Sequence, residues 1–259
     1  GTARVYLRSG TSWALESILP ATGTALGDDV GSAVALSPDG LHALVGAPGD
    51  DTATATDAGS VRAYLRTGTA WTEQALLMPS ATTSTVFFGQ SVALDGTGTR
   101  GLVGAPGYDF PSTACGRAFV FLRSGTLWSE EATLIPAAPA ANYEIGIAVA
   151  LSQDGALALL GADVAGATAP PGRAIAFSRS ASVWTEAATL TPPDGQVDDR
   201  FGIAVALDST GARAVVGAYA DGTPVGMNAG SARVFSIVPA GATGTSCALG
   251  AACTTGFCV

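Results

Sequence analysis

The sequence predicts an all-β fold made of repeated modules of short antiparallel strands. Two marks recur along the chain with the same spacing of 58, 57 and 56 residues. They are a tryptophan, at Trp13, Trp71, Trp128 and Trp184, and a Gly-Ala pair, at Gly46-Ala47, Gly104-Ala105, Gly161-Ala162 and Gly217-Ala218. A fixed period of this length indicates an array of similar supersecondary units. No segment shows a sustained helical period with caps, so we expect almost no helix.

The copy at residues 89–136 shows the elements of one module in order. Its predicted strands are residues 91–94, 102–105, 118–122 and 128–135. Turn residues separate these short apolar runs, which is typical of a β-meander and not of a helix pair. Four antiparallel strands per repeated unit predict a β-propeller blade. One blade cannot bury both of its faces, so each blade needs neighbours.

The strand count predicts a propeller region at residues 1–239 and a C-terminal tail at residues 240–259, with about four blades represented. The predicted units are a partial blade at 1–20, blades at about 31–79, 89–136 and 146–192, and an incomplete blade at 202–238. Two explanations remain for the unfinished blades. Either further blades lie outside this chain, or the Trp13 strand completes the last blade in a small ring. We favour a fragment of a larger propeller.

Two further elements recur in register with the tryptophans. Phe88-Gly89 and Phe201-Gly202 are copies of a Phe-Gly element, and Gly104-Ala105-Pro106 is a complete Gly-Ala-Pro element. These elements resemble the FG-GAP repeat family, whose repeats build the propellers of integrin α-subunits and of many secreted bacterial proteins. An Arg-Ser-Gly-x-x-Trp run before the fourth strand is similar to the bacterial branch. The resemblance implies a propeller of about seven blades, and therefore further blades or domains in the full-length protein.

Composition and charge exclude some classes of partner. The net charge is −9, and an acidic surface repels phosphate backbones, so we expect no nucleic-acid partner. No apolar run approaches the roughly 18 residues that a transmembrane helix needs, so no transmembrane segment is expected.

Three cysteines crowd the end of the chain, at Cys247, Cys253 and Cys258. Clustered cysteines in a short Gly/Thr-rich tail indicate a disulfide-bearing segment and an oxidising compartment. We therefore expect a secreted, extracellular or cell-surface protein. The alternative is a disordered tail with free thiols, and the disulfide pairing stays open.

Acidic and aromatic residues concentrate in two sets of loops, those between strands two and three and those that connect consecutive blades. In a meander both sets emerge on one face, and binding residues favour loops on a rigid scaffold. The candidate ligand-binding residues are Asp50, Asp51, Asp57, Tyr108, Asp109, Asp198, Asp199, Tyr219 and Asp221. The alternative interpretation is a solvated acidic surface without a ligand.

The hairpins between strands one and two lie on the opposite face and each supply one carboxylate, from Asp39, Asp95, Asp154 and Asp208. Many members of the family that the chain resembles bind calcium in these hairpins, through loops with several carboxylates. Calcium takes six to eight oxygen ligands. Single carboxylates indicate tight turns more simply, so no cofactor is expected and the metal prediction stays open.

Each third strand ends in an arginine five residues before a tryptophan, at Arg8, Arg66, Arg123 and Arg179. We predict cation–π contacts or pairing with Glu16, Glu73, Glu130 and Glu186 that hold the outer hairpin. The alternative is a carbohydrate-binding platform of tryptophans. Recurrence in every copy favours a structural role for the four tryptophans.

The chain shows no ordered catalytic constellation, so the prediction is a non-enzymatic adhesion or protein-interaction module. A propeller lectin is the first alternative, and its ligand would be a glycan instead of a protein. A hydrolase or lyase on the acidic loop face is a weaker alternative, because fold alone does not settle function.

Overall fold

The computed structural model describes residues 1–53, 55–80, 83–109, 113–164, 170–222, 226 and 228–237, with the backbone of 238–239, 253–254 and 257–258. All helix and strand assignments in these residues are strands, so the all-β prediction is confirmed. No helix long and apolar enough to cross a membrane occurs in this part of the chain.

The strands form consecutive antiparallel sheets that follow the order of the chain. An N-terminal hairpin contains β1 (Arg4–Ser9) and β2 (Ser12–Ile18). The first blade contains β3 (Val34–Leu36), β4 (His42–Ala47), β5 (Ser60–Thr67) and β6 (Ala70–Leu77). The second blade contains β7 (Ser91–Leu94), β8 (Arg100–Ala105), β9 (Arg117–Ser124) and β10 (Leu127–Leu134).

The third blade contains β11 (Ile145–Leu151), β12 (Leu157–Ala162), β13 (Arg173–Ser180) and β14 (Val183–Leu190). The last blade contains β15 (Phe201–Leu207), β16 (Arg213–Ala218) and β17 (Ser231–Ser236). The three complete blades are four-stranded meanders, as the repeat predicts. The hairpin and the last blade are separate sheets in the described residues, so β2 does not fill the fourth position beside β17.

Each interface between consecutive blades contains its own hydrophobic core. Between the first and second blades, Leu44 and Val61 pack against Phe88, Phe119 and Phe121. The Phe88 ring meets the Phe119 and Phe121 rings edge to face, with centroids 5.5 and 5.9 Å apart. Buried alanines such as Ala63 and Ala105 belong to the same core.

The glycines of the repeated elements bring the backbones of consecutive blades together. A Cβ atom added to Gly104 would lie inside the van der Waals contact distance of the Gly146 carbonyl oxygen. Gly146 itself has a φ of 91°, a left-handed conformation that favours glycine. The same contact joins Gly46 to Gly89 and Gly161 to Gly202. The Gly-Ala glycine of one blade therefore faces the Phe-Gly glycine of the next.

A glutamate joins the outer strands of neighbouring sheets. The predicted pairing of Arg66 with Glu73, a glutamate of its own hairpin, is wrong. Glu16 on β2 accepts hydrogen bonds from Arg66 and from Trp71 Nε1, the latter at 3.2 Å. Arg66 and Trp71 belong to the first blade, whereas Glu16 belongs to the hairpin before it. We call this arrangement of glutamate, arginine and tryptophan the glutamate clamp.

A second glutamate clamp joins the second and third blades. Glu131 accepts hydrogen bonds from Arg179 at 3.1 Å, from Trp184 at 3.4 Å and from Arg100 of its own blade at 3.0 Å. Gln74 occupies the corresponding position of the first blade, and there Arg123 donates instead to the carbonyl oxygens of Gly98 and Gly125. The clamp therefore occurs where the preceding fourth strand carries a glutamate.

The second clamp predicts a specific pH dependence of stability. Burial of the Glu131 carboxyl opposes ionisation, but the bonds from Arg100 and Trp184 and the nearby arginine charges lower its pKa overall. A carboxyl with a lowered folded pKa stabilises the fold above its unfolded pKa, and this contribution is lost as pH falls through the folded value. In denaturant titrations, Glu131→Gln should therefore lose less unfolding free energy than the wild type between about pH 5 and about pH 3. Equal acid dependence of Glu131→Gln and the wild type would contradict the assignment.

The four tryptophans lie opposite the predicted third-strand arginines, but their burial differs. Register pairs Arg8 with Trp13 and Arg66 with Trp71. Trp71 is only 7% exposed, Trp128 and Trp184 are partly buried, and Trp13 is 64% exposed. The expectation of equal structural roles needs correction at Trp13, because no described blade covers the face of β1 and β2 on which it lies.

Three short strands follow the last blade, β18 (Val238–Pro239) and, in the tail, β19 (Cys253–Thr254) and β20 (Phe257–Cys258). The backbones of Cys253 and Cys258 are direct antiparallel partners. Cys247 and the side chains of Cys253 and Cys258 lie outside the described residues, so the disulfide stays a prediction. Cys115 is buried, and its thiol donates to the Tyr108 carbonyl oxygen at 3.4 Å.

Candidate functional site

The two sets of loops meet on one face, as the sequence predicts. The backbone N–H groups of Thr85 and Phe87, in the connection to the second blade, donate to the carbonyl oxygens of Thr56 and Asp57 in the first-blade loop. Asn142 repeats this bond one blade later, to Thr113. Backbone hydrogen bonds thus tie each connection to the loop of the preceding blade and make one continuous loop face.

One position in every connection combines a fixed backbone with a different side chain. In the structure, Val30-Gly31 and Ile145-Gly146 take the place of the Phe-Gly element, since Gly31 donates to the Gly46 carbonyl oxygen as Gly89 does to that of Gly104. The residue directly before each of these four dipeptides has a left-handed backbone. These residues are Asp29 (φ 54°), Phe87 (φ 54°), Glu144 (φ 43°) and Arg200 (φ 61°). Positive φ is uncommon for residues other than glycine and persists where surrounding structure holds it. The scaffold therefore presents acidic, aromatic and basic groups from one repeated backbone position.

A cleft of about 490 Å³ opens on this face where the second blade meets the third. We call it the loop-face cleft and define it by six of its lining residues, Thr85, Phe87, Gln90, Asp109, Glu144 and Ile147. An apolar ring, an amide and two carboxylates converge there, which is typical of sites that bind a ligand by shape with a few polar contacts.

The two carboxylates of the cleft lie in different environments. Asp109 is exposed and accepts the Ala114 N–H at 2.8 Å, which orients it at the loop end. Glu144 is partly buried, and burial, with a smaller contribution from the charge of Asp163, raises its pKa. The Arg200 charge opposes this rise. A partly desolvated carboxylate in a cleft gains more from a cationic ligand group than a fully hydrated one.

Two of the predicted ligand residues instead connect their loop to the third strand. Asp50 accepts the Ser60 hydroxyl at 2.5 Å and lies 3.6 Å from the buried Arg62 guanidinium. Asp221 is buried and makes the same pair of contacts with Ser231 and Arg233. These carboxylates pair with the buried Arg62 and the partly buried Arg233 and shape the loops.

Three more of the predicted residues make contacts inside the loops. Tyr108 is buried, with the Arg117 guanidinium carbon 3.6 Å from its ring centroid. Asp199 is buried and accepts the Gln196 N–H at 2.5 Å. Asp57 is partly buried, and its carbonyl oxygen accepts the Phe87 N–H. Their environments indicate support of the loop face.

The other predicted residues are more accessible. Asp51 is exposed and accepts the Asp57 N–H at 2.9 Å. Asp198 is partly exposed and accepts Arg200 Nε at 3.1 Å, and Tyr219 is exposed near the same guanidinium. Of the nine predicted residues, Asp109 lines the loop-face cleft, and the others lie outside its lining. The candidate ligand residues predicted from the sequence did not include Phe87, Gln90 or Glu144, although their place beside the Phe-Gly element could have drawn attention to them.

The hairpins on the opposite face use their carboxylates within the turns. Asp39 accepts the Ser37 hydroxyl and the Leu41 N–H, and Asp95 accepts the Thr97 and Thr99 N–H groups. Such bonds are typical of Asx turns. Among the residues that the structure describes, no group of three or more Asp, Glu, His or Cys side chains could hold a metal ion.

The sequence profile of the FG-GAP repeat matches residues 13–64, 71–121 and 184–235, which together are more than half of the chain. The chain belongs to the FG-GAP repeat family. Each matched stretch begins at one of the repeated tryptophans and ends in a third strand, so the FG-GAP repeat coincides with the sequence period. FG-GAP repeats form propellers, and the sheets described above are the blades of a β-propeller protein-interaction module. No curated protein matches the chain.

Proposed function

We propose that this FG-GAP propeller is a non-enzymatic, secreted or cell-surface module that binds a partner protein through the loop-face cleft. The observation that carries the proposal is the single backbone position that presents a different side chain from each connection, next to a cleft. A repeated rigid scaffold with variable loop residues suits recognition. The FG-GAP family assignment and the cysteine-rich tail support an extracellular role in adhesion.

The chemistry of the cleft favours a basic segment of the partner. Glu144 and Asp109 supply two carboxylates, and the Phe87 ring supplies an apolar surface beside them. A lysine or arginine side chain offers both a cationic head and an aliphatic stem, so it can use both features. The chain as a whole carries a net charge of −9, which would steer a basic partner toward it.

A glycan is the second candidate ligand, supported by one observation. Phe87 is partly exposed beside the carboxylate and amide groups of Asp109, Glu144 and Gln90. An aromatic face next to hydrogen-bonding groups also suits a sugar ring. A glycan would bind with little dependence on salt, whereas a basic peptide would bind more weakly as ionic strength rises.

The test selects a library of random peptides on the immobilised chain and screens the same chain on a glycan array. Selected peptides should be rich in lysine or arginine. The double variant Asp109→Asn and Glu144→Gln should weaken their binding by roughly ten- to a hundredfold, because hydrogen bonds to charged groups contribute about 1.5–3 kcal/mol.

The matched control is the double variant Asp154→Asn and Asp208→Asn on the hairpin face, which should bind the selected peptides like the wild type. Loss of binding in the control but not in the cleft variant would place the binding site on the hairpin face and contradict the proposal. Selection of neutral glycans, with no basic peptides, would favour the lectin.

A further inference from the structure

The only histidine of the chain lies where the first blade meets the second. His42 is the first residue of β4 and is 8% exposed. Its imidazole lies against Gly98 in a hairpin of the second blade, because a Cβ atom added to Gly98 would lie 2.5 Å from His42 Cδ2. Among the described residues, no carboxylate forms an ion pair with the imidazole. We call this contact between His42 and the hairpin at Gly98 the first joint.

The corresponding positions of the next two blades show which side chains suit this place. Arg100 and Leu157 are the first residues of β8 and β12, as His42 is of β4. Arg100 is a cation, and the Glu131 carboxylate of its own blade accepts its hydrogen bonds at 3.0 and 3.3 Å. Leu157 is neutral and lies against Gly211 of the last blade. A charged side chain at this position therefore has the clamp glutamate as its partner.

The first joint lacks the carboxylate of the second clamp. Gln74 stands at the bulge of β6, where Glu131 stands in β10. Arg123 of the second blade donates to the Gly98 carbonyl oxygen at 2.8 Å, so its guanidinium approaches the same glycine as the imidazole does. A protonated His42 would therefore be a second cation beside Arg123, without a clamp carboxylate to compensate it.

A proline removes a further link from the first joint. At the next two contacts between blades, backbone hydrogen bonds connect the hairpins. Gly96 donates to the Gln153 carbonyl oxygen at 2.7 Å, and Gln153 donates to the Ser209 carbonyl oxygen at 3.0 Å. Pro38 stands at the corresponding position of the first blade and has no backbone N–H to donate. Within the described residues, the first joint therefore lacks both the clamp carboxylate and this backbone hydrogen bond.

We propose that the first joint is an acid-sensitive contact, at which protonation of His42 opens the first blade from the second while the other blades stay packed. In a repeat array, stability is approximately a sum of terms for each repeat and for each interface between neighbours. A change confined to one interface therefore opens the array at that interface first. The charge that acid adds to His42 is such a change, because the arginine and leucine at the corresponding positions do not titrate near neutral pH.

The charged groups around His42 set the direction of this effect. Arg123 and Asp95 act on the imidazole from the second blade, and Asp39 acts on it from its own hairpin. Its cross-strand partner on β5, Leu65, carries no charge. Burial, and after it the Arg123 charge, lowers the pKa of His42, and the two carboxylates oppose this only in part. Both carboxylates also accept N–H groups of their own turns.

The neutral imidazole is therefore the form that the closed joint favours. Opening hydrates the imidazole and returns its pKa to the ordinary value of 6.5. Closure is fully supported above that value and is weakened as the pH falls below it, toward the lower pKa of the closed joint. For each unit that separates the two pKa values, the ratio of open to closed joint should rise about tenfold once the pH is below both.

The test measures hydrogen exchange by mass spectrometry on the whole chain at about pH 7.5 and about pH 5.5, a range in which histidine titrates. Exchange of the β4 and β5 amides, corrected for the intrinsic effect of pH, is compared with exchange of the β12 and β13 amides of the third blade. Opening of the first blade should rise about tenfold relative to the third blade for each unit by which the His42 pKa is lowered. An equal rise in both blades, or no rise, overturns the proposal.

Two variants identify the groups responsible. His42→Leu introduces the residue type of Leu157, which lies against a glycine in the same way, and should abolish the relative rise. Because this variant keeps every carboxylate, a rise as large as that of the wild type would come from another group and would overturn the proposal. Gln74→Glu supplies the missing clamp carboxylate and should also remove the rise, since a nearby carboxylate favours the charged imidazole. An undiminished rise in Gln74→Glu would contradict the part of the proposal that rests on the missing carboxylate.

A measurement on the wild-type chain keeps the proposal testable even if a variant does not fold. As the only histidine, His42 gives a single imidazole signal in a proton NMR titration. Its pKa should lie below 6.5, and a value at or above 6.5 would overturn the proposal.

Discussion

Replacing Gly104 by alanine should destabilise the chain by about 3 kcal/mol, the upper end of ordinary overpacking, because the added methyl group meets backbone. The Cβ atom would collide with the carbonyl oxygen of Gly146 in the next blade and with the Ser91 hydroxyl. A flexible side chain could move aside, but a carbonyl group in a strand cannot move without separating the two blades. The expected result is a large fall in the denaturant midpoint.

Gly217→Ala is the matched control for this substitution. Gly217 occupies the same position in the last blade, where the nearest atom to an added Cβ is the Ala204 Cβ at 3.5 Å, an ordinary contact. Alanine there should leave stability unchanged or raise it by up to about 1 kcal/mol through the lower entropy of the unfolded chain. Equal losses of unfolding free energy at both positions in denaturant titrations would show that the contact between blades does not explain why position 104 is a glycine.

Trp71→Ala should cost about 3–5 kcal/mol of unfolding free energy, whereas Trp13→Ala should cost less than about 1 kcal/mol. Trp71 is buried between the hairpin and the first blade and donates to Glu16, so its loss leaves a cavity and removes one hydrogen bond to that carboxylate. Trp13 occupies the same register position but is exposed. Partly buried Trp128 should give an intermediate loss when replaced by alanine.

Thermal and denaturant unfolding of the two tryptophan variants measure this difference directly. A small loss at Trp71 would argue that the repeated tryptophans face ligand, as the carbohydrate-platform alternative holds. A large loss at Trp13 would mean that its side chain is buried, which would contradict its 64% exposure.

The repeat could be predicted from the sequence because its elements are local. Each blade is a meander whose strands follow one another, so turn residues and apolar runs determine strand order without long-range information. The loop face was also predictable, since alternate connections of a meander emerge on the same side. The positions of the ligand candidates within that face were not.

Contacts between blades explain why the detailed roles could not be predicted. The glutamate clamp joins residues about 50 positions apart, and the glutamate that Arg66 binds lies on the preceding blade instead of the same hairpin. Likewise, Asp50 and Asp221 resemble free loop carboxylates in the sequence but are paired with Ser60 and Ser231 and with nearby arginines. Burial and pairing depend on the neighbouring strand, which one sequence does not place at atomic distance.

What the sequence by itself determined is the period, the all-β class, the order of strands and the glycine positions, because these follow from turn chemistry and repetition. Only the tertiary structure decided which carboxylates are used internally, where the loop-face cleft opens, and why Trp13 differs from Trp71. The physical reason is that these properties arise at the interfaces between blades. There, a residue's environment is set by the copy before or after it and not by its own segment.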